Sequence, residues 1–112
     1  MGDIVKAESD SYEAILNEYS QKLKEATPIL INKYNDSAKT TQGGLQGLAT
    51  LCNDKISDLA DILLDGMGKM SDVHYYRGSG SYEEYKEWAS KLYIVYEEEA
   101  SKIQDVYTKS AQ

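Results

Sequence analysis

Phenylalanine is absent from this 112-residue chain, and cysteine, proline, tryptophan, histidine and arginine occur once each. Each scarcity excludes something. The lone Cys52 cannot close an intramolecular disulfide, and no second thiol is present to build a zinc site. It reads as a small core residue. With one histidine, no Ser-His-Asp or Cys-His arrangement can be argued from spacing. The di-iron bundle motif needs Glu-x-x-His twice and cannot be assembled. Long uncharged apolar runs are missing, so no segment reads as a membrane span. Bases are outnumbered 19 to 12 by acids, a net charge of −7, whereas nucleic acid and anionic membranes both need a basic stripe. The opening residues show no secretory-signal pattern, and Lys6 stands where a myristoylation motif wants Ser or Thr. No segment has the two-residue alternation of a strand.

What is present is helical periodicity, punctuated by glycines at 43–47, 66–68 and 78–80. From about Ser11 to Lys39, Tyr12, Ile15, Leu16, Tyr19, Leu23, Ala26, Leu30 and Tyr34 share one face. Asp10 followed by Glu13 reads as its cap. Pro28 falls on the opposite, solvent face, where a bent helix tolerates proline best. The expectation is one helix kinked at Pro28, with a break at Ala26-Thr27 as the fallback. A second helix, about 45–75, places Leu45, Leu48, Cys52, Ile56, Leu59, Leu63, Gly66, Met70 and Val73 on one seam. Gly66 lies inside that seam, where a missing side chain lets a neighbouring helix come close. Gly68 points outward, and the two glycines together cost roughly 2 kcal/mol of helix propensity. A third helix, about 81–110, opens on a Ser81/Glu84 capping box with Glu83, Glu84 and Glu87 at the positive end of its dipole. Tyr85, Trp88, Ala89, Leu92, Val95, Tyr96, Ile103, Val106 and Tyr107 continue its apolar stripe.

Three such segments with short links predict an all-α fold: an elongated antiparallel up-down-up three-helix bundle, one domain over residues 1–112. Tyrosine in place of phenylalanine suggests rings lining the core edges, their hydroxyls reaching water.

The stretch "HYYRGSGSYEEYKEW", residues 74–88, concentrates the only His, Arg and Trp around a Gly-Ser-Gly run. It lacks the Gly-Lys-Ser/Thr of a Walker loop and the third glycine of a dinucleotide loop, and three acids follow where a phosphate would sit. It reads as a turn. Gly78 and Gly80 free the backbone, Ser81 caps the next helix, and His74 and Arg77 suit a helix C-terminus. Catalytic, cofactor-binding and metal-ligating residues are therefore all read as none, and the chain as no enzyme.

Two surface features remain. Asp54, Asp58, Asp61, Asp65 and Asp72 fall within roughly 60° of one another on the outer face of the second helix. A straight helix cannot wrap those oxygens around calcium, so the stripe reads as a solvated acidic face, with a cationic partner as the alternative. In "LYIVY", residues 92–96, one buried stripe cannot use all five apolar side chains. Tyr93 and Ile94, with outward Tyr75 or Tyr76, form a candidate surface for self-association or another protein.

The C-terminal third, "GSGSYEEYKEWASKLYIVYEEEASKIQDVYTKSA", has a Gly-Ser turn, a Tyr-Glu-Glu-Tyr-x-Glu-Trp-Ala start and a Tyr- and Ala-spaced run. It resembles the C-terminal helical domain of uncharacterised Gram-positive bacterial envelope proteins, and "YEAILNEYSQKLKEATPILINKYN" is similar to the first helix of that domain. Such proteins carry a lipoprotein or membrane anchor, sometimes with a zinc ribbon. The resemblance implies an extracytoplasmic, envelope-anchored domain cut from a longer protein, touching a membrane only through that anchor, and it implies no activity. Cys52 favours the cytoplasm instead, since exported proteins of such bacteria tend to avoid cysteine. The expected function is a non-catalytic helical interaction or spacer domain, without cofactor. Two alternatives stand beside it. One is a small secreted effector of the W-x-G type, for which "YIVYE" offers the export pattern but Trp88 sits inside a helix. The other is a bundle holding a small apolar ligand near Gly66, Met67 and Met70.

Overall fold

A computed structural model describes the backbone of residues 2–77 and 81–112, and side chains from residue 11 to 75 and from 81 onward. Three helices, α1 (Gly2–Ala38), α2 (Gly44–Arg77) and α3 (Tyr82–Ser110), pack pairwise into a rod of 60 × 19 × 18 Å. No strand occurs among the described residues. The register follows from contacts between helices. His74 meets Tyr82 and Tyr85, a side chain on Gly66 would meet Leu92, and Cys52 meets Gln104, so one number falls as the other rises and α2 runs antiparallel to α3. Tyr12 meets Trp88 and Tyr34 meets Ser110, so α1 runs parallel to α3. The expected up-down-up bundle is what forms.

α1 starts nine residues before the expected Ser11. Asp10 therefore lies within the helix and does not cap it; residues 2–10 contain no proline to stop helix growth. The helix runs unbroken through Pro28, so the fallback break at Ala26-Thr27 does not occur. Pro28 is on the exposed face, as its place on the wheel required, and the carbonyl of Lys24 that loses its i+4 donor is on a residue facing solvent. Beside it, Thr27 is buried, and its hydroxyl donates to the Leu23 carbonyl at 2.9 Å. That bond satisfies a polar group in a position otherwise held by apolar residues.

The first turn is made by backbone that most residues avoid: Gly43 and Gly44 have φ of 99° and 60°. Thr41 Oγ1 donates to the Ser37 carbonyl at 2.7 Å and closes the end of α1. α3 begins as its sequence predicts, with the Ser81 hydroxyl accepting from the Glu84 N–H at 3.0 Å. The expected roles of Gly78 and Gly80 lie outside the described residues.

The core contains Leu23, Leu30, Cys52, Leu59, Leu63, Met70, Leu92 and Ile103, all from the expected seams. Gly66 acts as anticipated: an added Cβ would lie 2.7 Å from Leu92 Cδ2 and 2.8 Å from Tyr19 Cγ, so all three helices converge there. At Gly68 the same Cβ would meet nothing within 4 Å. Neither glycine breaks α2.

Two expectations about the core are corrected. Leu45 is 60% exposed, because it sits in the first turn of α2 at the very end of the rod, where little remains to cover it. The tyrosines do not merely edge the core: Tyr12, Tyr19 and Tyr34 are at most 1% exposed. The hydroxyls of Tyr19 and Tyr34 find protein partners instead of water. Tyr19 Oη donates to Asp65 Oδ2. Tyr34 Oη lies 2.5 Å from Ser110 Oγ, whose own proton goes to the Tyr107 carbonyl at 3.0 Å, which makes Tyr34 the donor.

Candidate functional site

The polar residues singled out by the sequence are dispersed along the rod. His74 lies in α2 three residues before its end. Its ring packs against both Tyr82 and Tyr85, with centroids 6.0 and 5.9 Å away, the two tyrosines touching each other at 5.9 Å, and its Nδ1 is buried without a hydrogen-bond partner among the described residues. It serves as a packing ring at the α2–α3 end of the bundle. Cys52 is buried with Sγ 3.7 Å from Gln104 Oε1, and burial raises its thiol pKa, disfavouring the thiolate. Trp88 lies inside α3, stacked on Tyr12 at 6.2 Å and covered by Lys91 Nζ at 4.2 Å from the ring centre.

The five aspartates of the acidic face are all exposed, and Asp65 reaches across to α1. Asp65 differs from the other four in having a structural role, as acceptor for Tyr19. No group of three potential metal-ligating side chains gathers anywhere among the described residues.

Glu99 is a residue that periodicity alone overlooks. Its side chain is 3% exposed, in the seam between Leu92 and Ile103 on α3, with Oε2 2.8 Å from Lys102 Nζ. A glutamate among helix formers gives no sign of burial; only its place in the 92–96–99–103 spacing could have shown it.

Exposed apolar side chains occur on all three helices, Ile29 on α1 among them, and most belong to α2 and α3. Tyr93 is 46% exposed, Ile94 54% and Tyr75 77%, so three of the four candidate surface residues do face solvent. The side chain of Tyr76, the fourth, lies outside the described residues. Between α2 and α3 runs a groove of about 320 Å³, floored by Met67, Tyr85 and Ala89 and walled by Tyr82 and Tyr93. Lys86 and Ser90 stand at its rim. Of the three residues expected to line a ligand site, only Met67 does so. Gly66 and Met70 are buried in the three-helix seam. Ile94 faces away from the groove, and Leu64, 63% exposed, stands one turn from Met67 on α2.

The electrostatics of this side are mild. Lys86 Nζ lies 3.7 Å from Glu83 Oε1 and 5.3 Å from the centre of the Tyr82 ring, both loose contacts on exposed side chains. Tyr93 and Tyr96 pack at 5.8 Å, and burial, followed by the nearness of Tyr93 and Glu97, raises the pKa of Tyr96. Such a surface offers ring faces and shape, with the exposed Lys86 cation at its edge. No helix among the described residues is long and apolar enough to cross a membrane.

Comparison with known proteins returns no match to this chain from any family model, curated protein or solved structure.

Proposed function

We propose that the chain is a non-catalytic helical spacer and interaction domain. The observation that carries this is the odd number of helices in a 60 Å rod. The chain enters at one end, crosses the length three times and leaves at the other. Whatever is joined to the two ends is therefore held apart by the full length of the bundle. The side chains with chemical potential support the same reading, since Cys52, His74 and Glu99 are each engaged in packing or pairing. Placement at the cell envelope belongs to this proposal through the resemblance of the C-terminal third, and fractionation of the native protein tests it.

Time-resolved energy transfer between dyes on the two ends should give a narrow distance distribution near the 60 Å length of the rod. A broad, short distribution overturns the spacer reading. Turnover in a broad substrate screen overturns the non-catalytic one.

The groove between α2 and α3 favours a second reading, a bundle that holds a small apolar molecule. Its walls of tyrosine and methionine suit a flat apolar ligand. Saturable binding of an apolar fluorescent dye, abolished by Met67→Lys with the helical circular dichroism unchanged, supports that reading; dye binding that Met67→Lys leaves intact removes it.

A further inference from the structure

The flank of α3 that borders the groove and runs on past it has a pattern that neither the fold nor the spacer role requires. Lys86, Ser90, Tyr93 and Glu97 follow one another on α3 at spacings of four, three and four, which sets them in a row along one flank. Lys86 and Glu97 are equally far from the midpoint between Ser90 and Tyr93. The row is therefore complementary to itself when reversed, cation against anion and small side chain against large ring.

Its members are also available. Glu97 is exposed and makes no ion pair or hydrogen bond among the described residues. Lys86 has only its loose exposed contacts with Glu83 and Tyr82. Tyr93 is nearly half exposed at the groove wall, beside a floor that includes the small Ala89. The adjoining flank of α2 carries Ala60, Leu64, Met67 and Ser71, none of them charged, while the aspartates lie on its opposite flank. For a chain with a net charge of −7, this side keeps a like-charged molecule clear of the aspartates of α2. Of the carboxylates beside the row, Glu83 is already paired with Lys86.

We propose that the groove is occupied by a second copy of this chain. The two α3 helices lie antiparallel about a two-fold axis, as a self-complementary patch requires. Lys86 of each copy faces Glu97 of the other, and each Tyr93 ring enters the other's groove over Ser90 and Ala89. The proposal rests on the interaction half of the reading above and names its partner. The contact is small. The row from Tyr82 to Glu97 is roughly 23 Å long by helical rise, and the rod is 18 to 19 Å wide. That gives on the order of 400 Å² per copy, about half of what a standard stable interface contributes from each side. The dimer is accordingly weak and reversible, formed at high local concentration.

Sedimentation velocity across a concentration series up to about 1 mM tests this. Wild-type chain should show a sedimentation coefficient that rises with concentration. Lys86→Glu and Glu97→Lys should each abolish the rise, and the double variant, which restores the pairs with their signs exchanged, should recover it. Glu97→Lys is the more telling single change: it lowers the net negative charge, so general repulsion predicts stronger association where the proposed pairing predicts weaker. Lys91→Glu, on the other flank of α3, changes charge as Lys86→Glu does and should leave association intact. A monomeric wild type at every concentration overturns the second copy as occupant, as do single variants that associate like wild type. Neither result touches the spacer reading, which is read from the end-to-end distance.

Discussion

Tyr19 joins two helices through a single proton. Its hydroxyl is taken out of water by burial and hydrogen-bonded to the Asp65 carboxylate, with the charges of Asp65 and Glu18 nearby, and its pKa rises from 10.0 to about 12. The folded state therefore holds this proton more tightly than the unfolded chain does. The resulting stabilisation is complete below pH 10 and is lost as pH climbs from 10 to about 12. Urea unfolding measured through that window should show the decline in wild type and a flatter profile in Tyr19→Phe. Glu99 poses the opposite problem, a carboxylate held in an apolar seam with one partner on its own helix. Removing the cation strands the anion, whereas removing the anion leaves a position that an apolar side chain can fill. Lys102→Met should cost about 1 kcal/mol, at the low end for a stranded group because Lys102 itself is 58% exposed. Glu99→Met should be neutral or stabilising by about 1 kcal/mol in the same denaturation assay. Equal losses from both substitutions would contradict this account.

At the scale of elements, helix α2 contains its own control experiment. Gly66 and Gly68 are two residues apart, both interior and both unfavourable for helix formation. Only the first has neighbours, the Leu92 and Tyr19 side chains within 3 Å of where a methyl would go. Alanine at 68 should therefore raise stability by about 0.5 to 1 kcal/mol through propensity alone. Alanine at 66 gains the same propensity and loses more, a net destabilisation of about 1 to 3 kcal/mol from overpacking. Chemical denaturation of the two variants should move the midpoint in opposite directions. This contrast is legible in the sequence, because one helical wheel separates a seam position from an outward one. The exposure of Pro28 is legible for the same reason, and the cap at Ser81 from the Ser-x-x-Glu pattern that opens α3. The wheel does not show what depends on two helices at once. Burial of Tyr12, Tyr19 and Tyr34 needs a partner helix over the ring, and Glu99 needs to be recognised as lying between core leucine and isoleucine despite its charge. Leu45 fits the periodicity of α2 and is nevertheless exposed, since periodicity carries no information about where the neighbouring helices stop. The candidate surface divides in the same way. Tyr93, Ile94 and Tyr75 could be read as outward from their own helices, but the groove under Tyr93 exists only through the register that brings Met67 of α2 beside α3.

For the molecule as a whole, all three helices are joined at the level of Gly66, Tyr19 and Leu92, so none can leave without opening the other two. The hydrogen bond from Tyr34 to Ser110 fastens the first helix to the last turn of the third at the far end. Because the chain goes in at one end of the rod and out at the other, tension between its termini acts along the helix axes, loading the interhelical seams in shear over their length. Helices loaded that way must slide past one another together, against interlocked side chains, before any can detach. Stretched in a single-molecule force experiment, the protein should give way in one abrupt step. A tether fixed at residue 39 and residue 112, which share an end, should instead pull α2 and α3 off progressively and at lower force.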